Sequence, residues 1–394
     1  MFDRWKEQLQ TGSRWETLIW LAWTLTPYLH NELWLYWLPA VWAFIPSLHS
    51  SSSGKISLRS PVILWVSWGL CSALWSPEPG GAVWNWLQEV LIILGGIGGG
   101  LYLRKKPVGW GILFASSIPV VFLGFIQTVL VNPYPIEWVS PSRLPQVFTR
   151  ITGTLGNPNL FGEYLCFLLP IALGMVLNGT DVKGVTKATR LSPVVFNPRR
   201  GLVFLSLVYG LLLFPTFSRT SWGAVFAGLL CLLRSKQNIR FFLVLVLGLV
   251  LITLLQPLYL EVLTGQALSF DQTIRYRFEV WEGTWRLIKN FPYSGVGGGN
   301  FSRYYPYLGM NKADHSHNLF LQIMVEKGGF GLFFLFLLLS ALFSVPAGSY
   351  TERGVRAALL TQVVAGLTEY VWASPLMISF FWLGYGYLME ARDG

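Results

Sequence analysis

Apolar runs about as long as a bilayer is thick recur along this chain, and they constrain it more than any other feature. A spanning helix needs ~20 mainly apolar residues. Runs of this kind lie at roughly 15 to 29, 33 to 46, 60 to 75, 82 to 101, 109 to 131, 159 to 177, 201 to 217, 220 to 233, 241 to 258, 318 to 343, 355 to 373 and 375 to 389. Several are short for a bilayer, so the pattern predicts an all-α, polytopic integral membrane protein of about 12 (10 to 12) transmembrane helices. With 53% apolar and only 12% charged residues, the 394-residue chain is too charge-poor for an ordinary soluble domain. We read residues 1–394 as a single membrane domain.

The net charge of +10 suggests nucleic acid only until the bases are placed on the topology. With the N-terminus inside, the inner segments hold most of the Lys and Arg residues, while the outer segments nearly balance. By the positive-inside rule both termini are cytoplasmic, and no nucleic-acid partner is expected. The first apolar run has no small-x-small cleavage site, so no cleavable leader is expected. Cys71, Cys166 and Cys231 fall in apolar runs without CxxC spacing and read as packing residues. Trp75, Trp84 and Trp86 flank the turn Ser76-Pro77-Glu78-Pro79 and read as interfacial anchors.

Two outer loops are long, 132–158 and 259–317, and loops of this kind often carry function. In the second, Phe278, Trp281, Trp285 and Ile288 recur at helical spacing, which predicts an amphipathic helix with Glu282, Arg286 and Lys289 on its wet face. Arg277 sits at the edge of the apolar stripe, where it either snorkels to the headgroups or reaches inward. The glycines of Phe291 to Asn300 lack the Lys-Ser/Thr ending of a phosphate loop and read as a tight turn. Asp314-His315-Ser316-His317-Asn318 immediately precedes an apolar helix. Ser316 is a candidate cap, and the helix N-terminus would favour an anion and a neutral histidine able to accept a proton. A plain capping turn, or a metal site of Asp314, His315 and His317, are the other readings.

Ser218-Arg219 opens another helix between two spans, and an arginine at that depth is either a functional site or an interfacial anchor. Arg150 to Asn159 forms a polar, glycine-containing turn before a third helix. Glu89, Glu163, Glu326 and Glu369 lie in apolar spans and define no single relay. Glu279 and Glu282, one helical turn apart, read as surface charge rather than paired catalytic carboxylates.

From about residue 150 to 345 these elements resemble the O-antigen ligase and O-antigen polymerase superfamily (WaaL/Wzy-like membrane proteins). The family signature is His followed by Asn, Ser or Gln, nine residues, then Gly-x-x-Gly; here His317-Asn318 is followed by Leu319 to Lys327 and Gly328-Gly329-Phe330-Gly331. Thr152 to Asn159, Ser218-Arg219, Arg277 with Trp281, and Pro292 to Phe301 match further family patterns. The resemblance implies cofactor-free, metal-independent glycosyl transfer at the periplasmic face of a bacterial inner membrane. The donor it implies is a glycan on undecaprenyl pyrophosphate, and the acceptor a lipid A-core or glycan hydroxyl, as in lipopolysaccharide or polysaccharide biosynthesis. Carried over by position, His317 is the catalytic residue, and Arg219 and Arg277 grip the pyrophosphate. Arg275, His315, Asn318 and Asn157 complete the implied substrate-binding set, Arg275 being the alternative to Arg277. The same resemblance leaves ligase and polymerase open, and a bicarbonate-transporter-like membrane protein, using the four buried Glu residues, is the rival class.

Overall fold

The computed structural model describes residues 58–130, 150–178, 198–230, 232, 271–308 and 312–389. The apolar runs at 15 to 29, 33 to 46 and 241 to 258, both termini, Cys231, and parts of the two long loops lie outside the described residues. Among the described residues every regular element is helical. In chain order these are α1 (Arg59–Leu74), α2 (Pro79–Lys105), α3 (Val108–Leu130), α4 (Pro158–Asn178), α5 (Pro198–Leu213) and α6 (Arg219–Leu230). They continue as α7 (Asp271–Asn290), the single turn α8 (Phe301–Tyr304), α9 (Leu319–Ser344), α10 (Tyr350–Ala365) and α11 (Pro375–Met389). Among the described residues five helices are long and apolar enough to cross a membrane: α2, α3, α4, Arg199–Thr216 and α9, with α11 a shorter apolar helix. Three of the twelve expected runs lie outside the described residues, so the expected total is not tested by this count.

The centre of the bundle is α4, most of whose side chains are buried, packed between α6, α5 and α10. α2 and α11 lie backbone against backbone, because the run Gly95-Gly96-Ile97-Gly98-Gly99-Gly100 removes the side chains that would hold them apart. A Cβ at Gly100 would run into the backbone of Leu383 and Gly386. Small residues take this role in membrane helices because lipid supplies no hydrophobic drive between helices, leaving close van der Waals packing as the attraction. At one end of the bundle Arg104, near the end of α2, pairs with Glu352 at the start of α10. Glu352 also completes a capping box with Ser349 there. At about 1.5 Å per residue, the 27 residues of α2 put this pair roughly 40 Å from the α1–α2 turn.

At the other end the glycine-rich segment 292–299 seats against a break in α9. Gly328 sits at φ 70°, ψ −174°, a backbone region essentially reserved for glycine. The break frees backbone groups of the helix, and four of them find partners outside it. Val296 and Gly297 donate their N–H to the carbonyls of Val325 and Glu326 at 2.9 and 2.8 Å, and Gly329 donates to Pro292 at 2.8 Å. Trp68 Nε1 caps the Lys327 carbonyl at 2.8 Å. Ser72, Ser76 and Asn85 of the α1–α2 hairpin tie the same segment from its other side. The segment is thus a tight turn, as its glycines predict. Gly328→Ala is expected to destabilise strongly, since its Cβ would overlap the Tyr293 carbonyl in a conformation that alone costs about 1–3 kcal/mol. Gly223→Ala, which meets open space, is the control in a thermal-unfolding series.

Two expectations change. The run at 355 to 373 is not one span: α10 ends at Ala365, a turn follows, and α11 restarts at Pro375, so Glu369 lies on a connection. The inward stripe of α7 is Val280, Thr284, Leu287 and Ile288, packed on α9; Phe278 and Trp285 are exposed. Helical spacing alone cannot tell two adjacent apolar flanks apart, and the packing chose the one carrying Arg277. Trp86 is half-buried: it lies against Gly69 of α1 and donates to the Val66 carbonyl at 2.9 Å, while Trp75 and Trp84 are exposed.

Candidate functional site

Glu369 gathers the polar end of the bundle around its carboxylate. Its Oε1 accepts from Arg277 Nη2 of α7 and from Asn159 Nδ2 of α4, the latter at 3.1 Å. Its Oε2 lies 3.2 Å from His317 Nδ1. Arg150 extends the line, donating to Asn159 Oδ1 at 2.7 Å and to the Thr216 carbonyl at 2.7 Å. Next to Glu369, Thr368 meets the Thr220 hydroxyl of α6 at 2.9 Å. This brings Arg219, the neighbouring half-buried first residue of α6, to the same end of the bundle.

Local chemistry explains why each side chain stands there. The turn before α4 needs left-handed glycines at 153 and 156. Gln127 of α3 holds it, accepting the N–H groups of Thr152 and Gly153 at 2.9 Å each. Asn157 accepts from the N–H groups of Asn159 and Leu160 at 2.8 and 3.3 Å, so it caps α4. Asn159, two residues on, is the one that reaches Glu369. The cap of α9 is Asn318, whose side chain accepts from Leu321 N at 2.9 Å and donates to the Leu367 carbonyl at 2.8 Å. Ser316 does not cap; its hydroxyl donates to the Asn318 carbonyl. His317 is held at φ 52°, one of two non-glycine residues with positive φ among those described. A left-handed non-glycine costs about 1–2 kcal/mol and persists only when its flanks over-determine it.

The implied site residues thus separate. His317 and Arg277 converge on Glu369. His315 stacks edge-on against His317 at 4.3 Å and lies 5.9 Å from the Tyr370 ring. Tyr276 meets His317 from α7 at 5.8 Å. Arg275 is exposed and pairs with Glu279 of its own helix at 3.3 Å, which favours Arg277 as the inward arginine. Glu282 pairs with Arg286 at 2.6 Å in the same exposed way, so the two carboxylates are surface charge. Among the described residues no three His, Cys, Asp or Glu side chains group for a metal. Sequence reasoning missed Glu369, Asn159, Tyr276 and Arg150 as partners in one site. For Glu369 the one local signal was a helix-breaking pair, Gly366 before it and Pro375 after it, inside an otherwise apolar run.

Burial alone would raise the Glu369 carboxyl, but the His317 hydrogen bond and the Arg277 charge outweigh it and hold it below its ordinary range. Burial, reinforced by the neighbouring His317, lowers His315 from 6.5 to about 4. The unfolded chain therefore binds a proton at His315 below about pH 6.5 that the folded protein refuses until about pH 4. Stability from this group is complete above pH 6.5 and is lost as pH falls toward 4. Thermal unfolding in detergent should fall across that window, and His315→Phe should flatten the slope.

An all-helical membrane protein with an arginine, a histidine and a carboxylate gathered at one end of the bundle defines the class. More narrowly, residues 202–336 match the family model for O-antigen ligase, so this part of the chain is similar to that family. The matched stretch includes Arg219, Arg277, His317 and the Gly328–Gly331 break, and stops short of Glu369. A comparison with curated proteins returns no match.

Proposed function

We propose that the protein moves a glycan from undecaprenyl pyrophosphate to an acceptor hydroxyl at the periplasmic face of a bacterial inner membrane, without a metal. The acceptor is a lipid A-core sugar in the ligase reading and another glycan in the polymerase reading. The observation that carries the proposal is the double engagement of Glu369, with Arg277 on one oxygen and His317 Nδ1 on the other. A carboxylate facing Nδ1 favours the tautomer with its proton there, leaving the lone pair on Nε2. Nε2 then accepts the proton of the acceptor hydroxyl as its oxygen forms a bond to the anomeric carbon. The bond from that carbon to the diphosphate oxygen breaks, and the diphosphate leaves with the electron pair. Arg277, which keeps further donors beyond the one used on Glu369, and Arg219 neutralise the growing negative charge.

The transport reading needs buried carboxylates available for coupling. Glu89 is instead paired with Lys327, at 2.6 and 2.8 Å, and with Trp65. Glu326 accepts two hydrogen bonds, and Glu369 is committed to the site above. Purified protein supplied with a lipid-linked glycan and an acceptor should release undecaprenyl pyrophosphate. Absence of release, together with uptake of bicarbonate that is lost in Glu163→Gln, would move the assignment to transport.

A further inference from the structure

The helix that follows His317 is tied to the glycine-rich turn by a chain of buried hydrogen bonds that the proposed chemistry does not use. Ser316 N donates to Gln322 Oε1 at 2.7 Å. Gln322 Nε2 donates to Glu326 Oε1 at 3.0 Å. That same oxygen accepts from Gly299 N at 3.0 Å. Ser316, Gln322 and Glu326 are 0, 1 and 6% exposed, so water does not compete for these bonds. A backbone N–H at one end and a carboxylate at the other fix which way the Gln322 amide faces.

We infer that Gln322 is a positioning residue for His317, bracing the left-handed backbone of the histidine against the glycine-rich turn through Glu326. The inference rests on reading His317 as the base. On one side of His317, the Asn318 side chain is tied to the Leu367 carbonyl and to Leu321 N. On the other side, the interaction that holds the Ser316 N–H is the one to Gln322. With that brace gone, the Ser316 hydroxyl bond to the Asn318 carbonyl at 2.9 Å and the longer bond from His317 N to His315 Nδ1 at 3.3 Å are what remain around the histidine, and its backbone relaxes toward negative φ, the conformation ordinary for a histidine. Its ring would then leave the place where Nδ1 meets Glu369. Donor binding would be spared, because Arg277 and Arg219 stand on other helices.

The geometry provides an unusually selective test. Gln322→Glu keeps an acceptor for Ser316 N but sets two carboxylates against each other where one amide bridged them. It should lower kcat by about 10²-fold, the scale expected for a misplaced catalytic group, with the KM for the donor unchanged. Glu326→Gln alone keeps an oxygen for both donors and should stay near wild type. Combining the two removes one of the facing charges and lets the amide nitrogen at 326 donate to the carboxylate at 322, at the cost of the oxygen that received Gly299 N, and should recover part of the lost turnover. Hydrogen exchange at residues 315–318 should follow the same order: protection lost in Gln322→Glu and regained in the double variant. Wild-type turnover in Gln322→Glu overturns the inference. So does a folded double variant no better than Gln322→Glu alone. Should the wild type release no undecaprenyl pyrophosphate, the functional reading fails, and the brace is judged on exchange alone: equal protection in all four proteins overturns it.

Discussion

His317→Ala is expected to lower release of undecaprenyl pyrophosphate by about 10²–10⁴-fold, the range of a lost general base, with little change in the KM for the donor. The alanine must also adopt φ 52°, so it mixes lost chemistry with backbone strain. His317→Asn separates the two, because asparagine tolerates the left-handed region while offering no imidazole. Both variants should be equally inactive, and the asparagine variant should unfold at the higher temperature. A pH–rate profile adds a second check: the limb belonging to the base should vanish in both. Turnover at the wild-type level in either variant would remove His317 from the chemistry.

Arg277→Ala should cost about 10²–10³-fold in kcat, the usual loss on deleting one donor that stabilises a leaving or developing anion. Arg277→Lys should recover only part of this, because an ammonium cannot hold Glu369 and a diphosphate with the planar fork of a guanidinium. Arg275→Ala is the internal control. Its side chain is 75% exposed in an i, i+4 pair, and such pairs contribute at most a few tenths of a kcal/mol. A loss in Arg275→Ala as large as in Arg277→Ala would reverse the assignment of the two arginines. Arg277→Ala should also lower thermal stability, since it leaves the mostly buried Glu369 carboxylate without its guanidinium partner.

Much of the site could be read along the chain. The polar residues before Leu319 mark a helix start, and the helix begins there, but the apolar run on to Phe343 gave no sign of the break at Gly328. Arg277 stood out because a base at the edge of an apolar stripe has a reason to turn inward. Asn157 and Asn318 are residue types that recognise substrates but also cap helices, and in this structure their oxygens accept backbone N–H groups. Hydropathy could not find Glu369 either, since the apolar residues of α10 and α11 flank it closely enough to make one continuous run. The phase of α7 went wrong because Phe278 and Trp285 are as apolar as the residues that pack.

The sequence by itself determined the helical class, the position of most described helices and the glycine turn, and it singled out Arg277 and His317, which the structure brings to one carboxylate. These follow from local rules: period 3.6, the polarity of helix ends and the conformations open only to glycine. Only the tertiary structure decided that Glu369 is the shared partner, that Arg277 rather than Arg275 faces it, and that Asn159 and Arg150 complete the line. Those facts depend on how segments as far as 210 residues apart are rotated against one another, and that is set by the sum of many packing contacts, which no single stretch of chain contains.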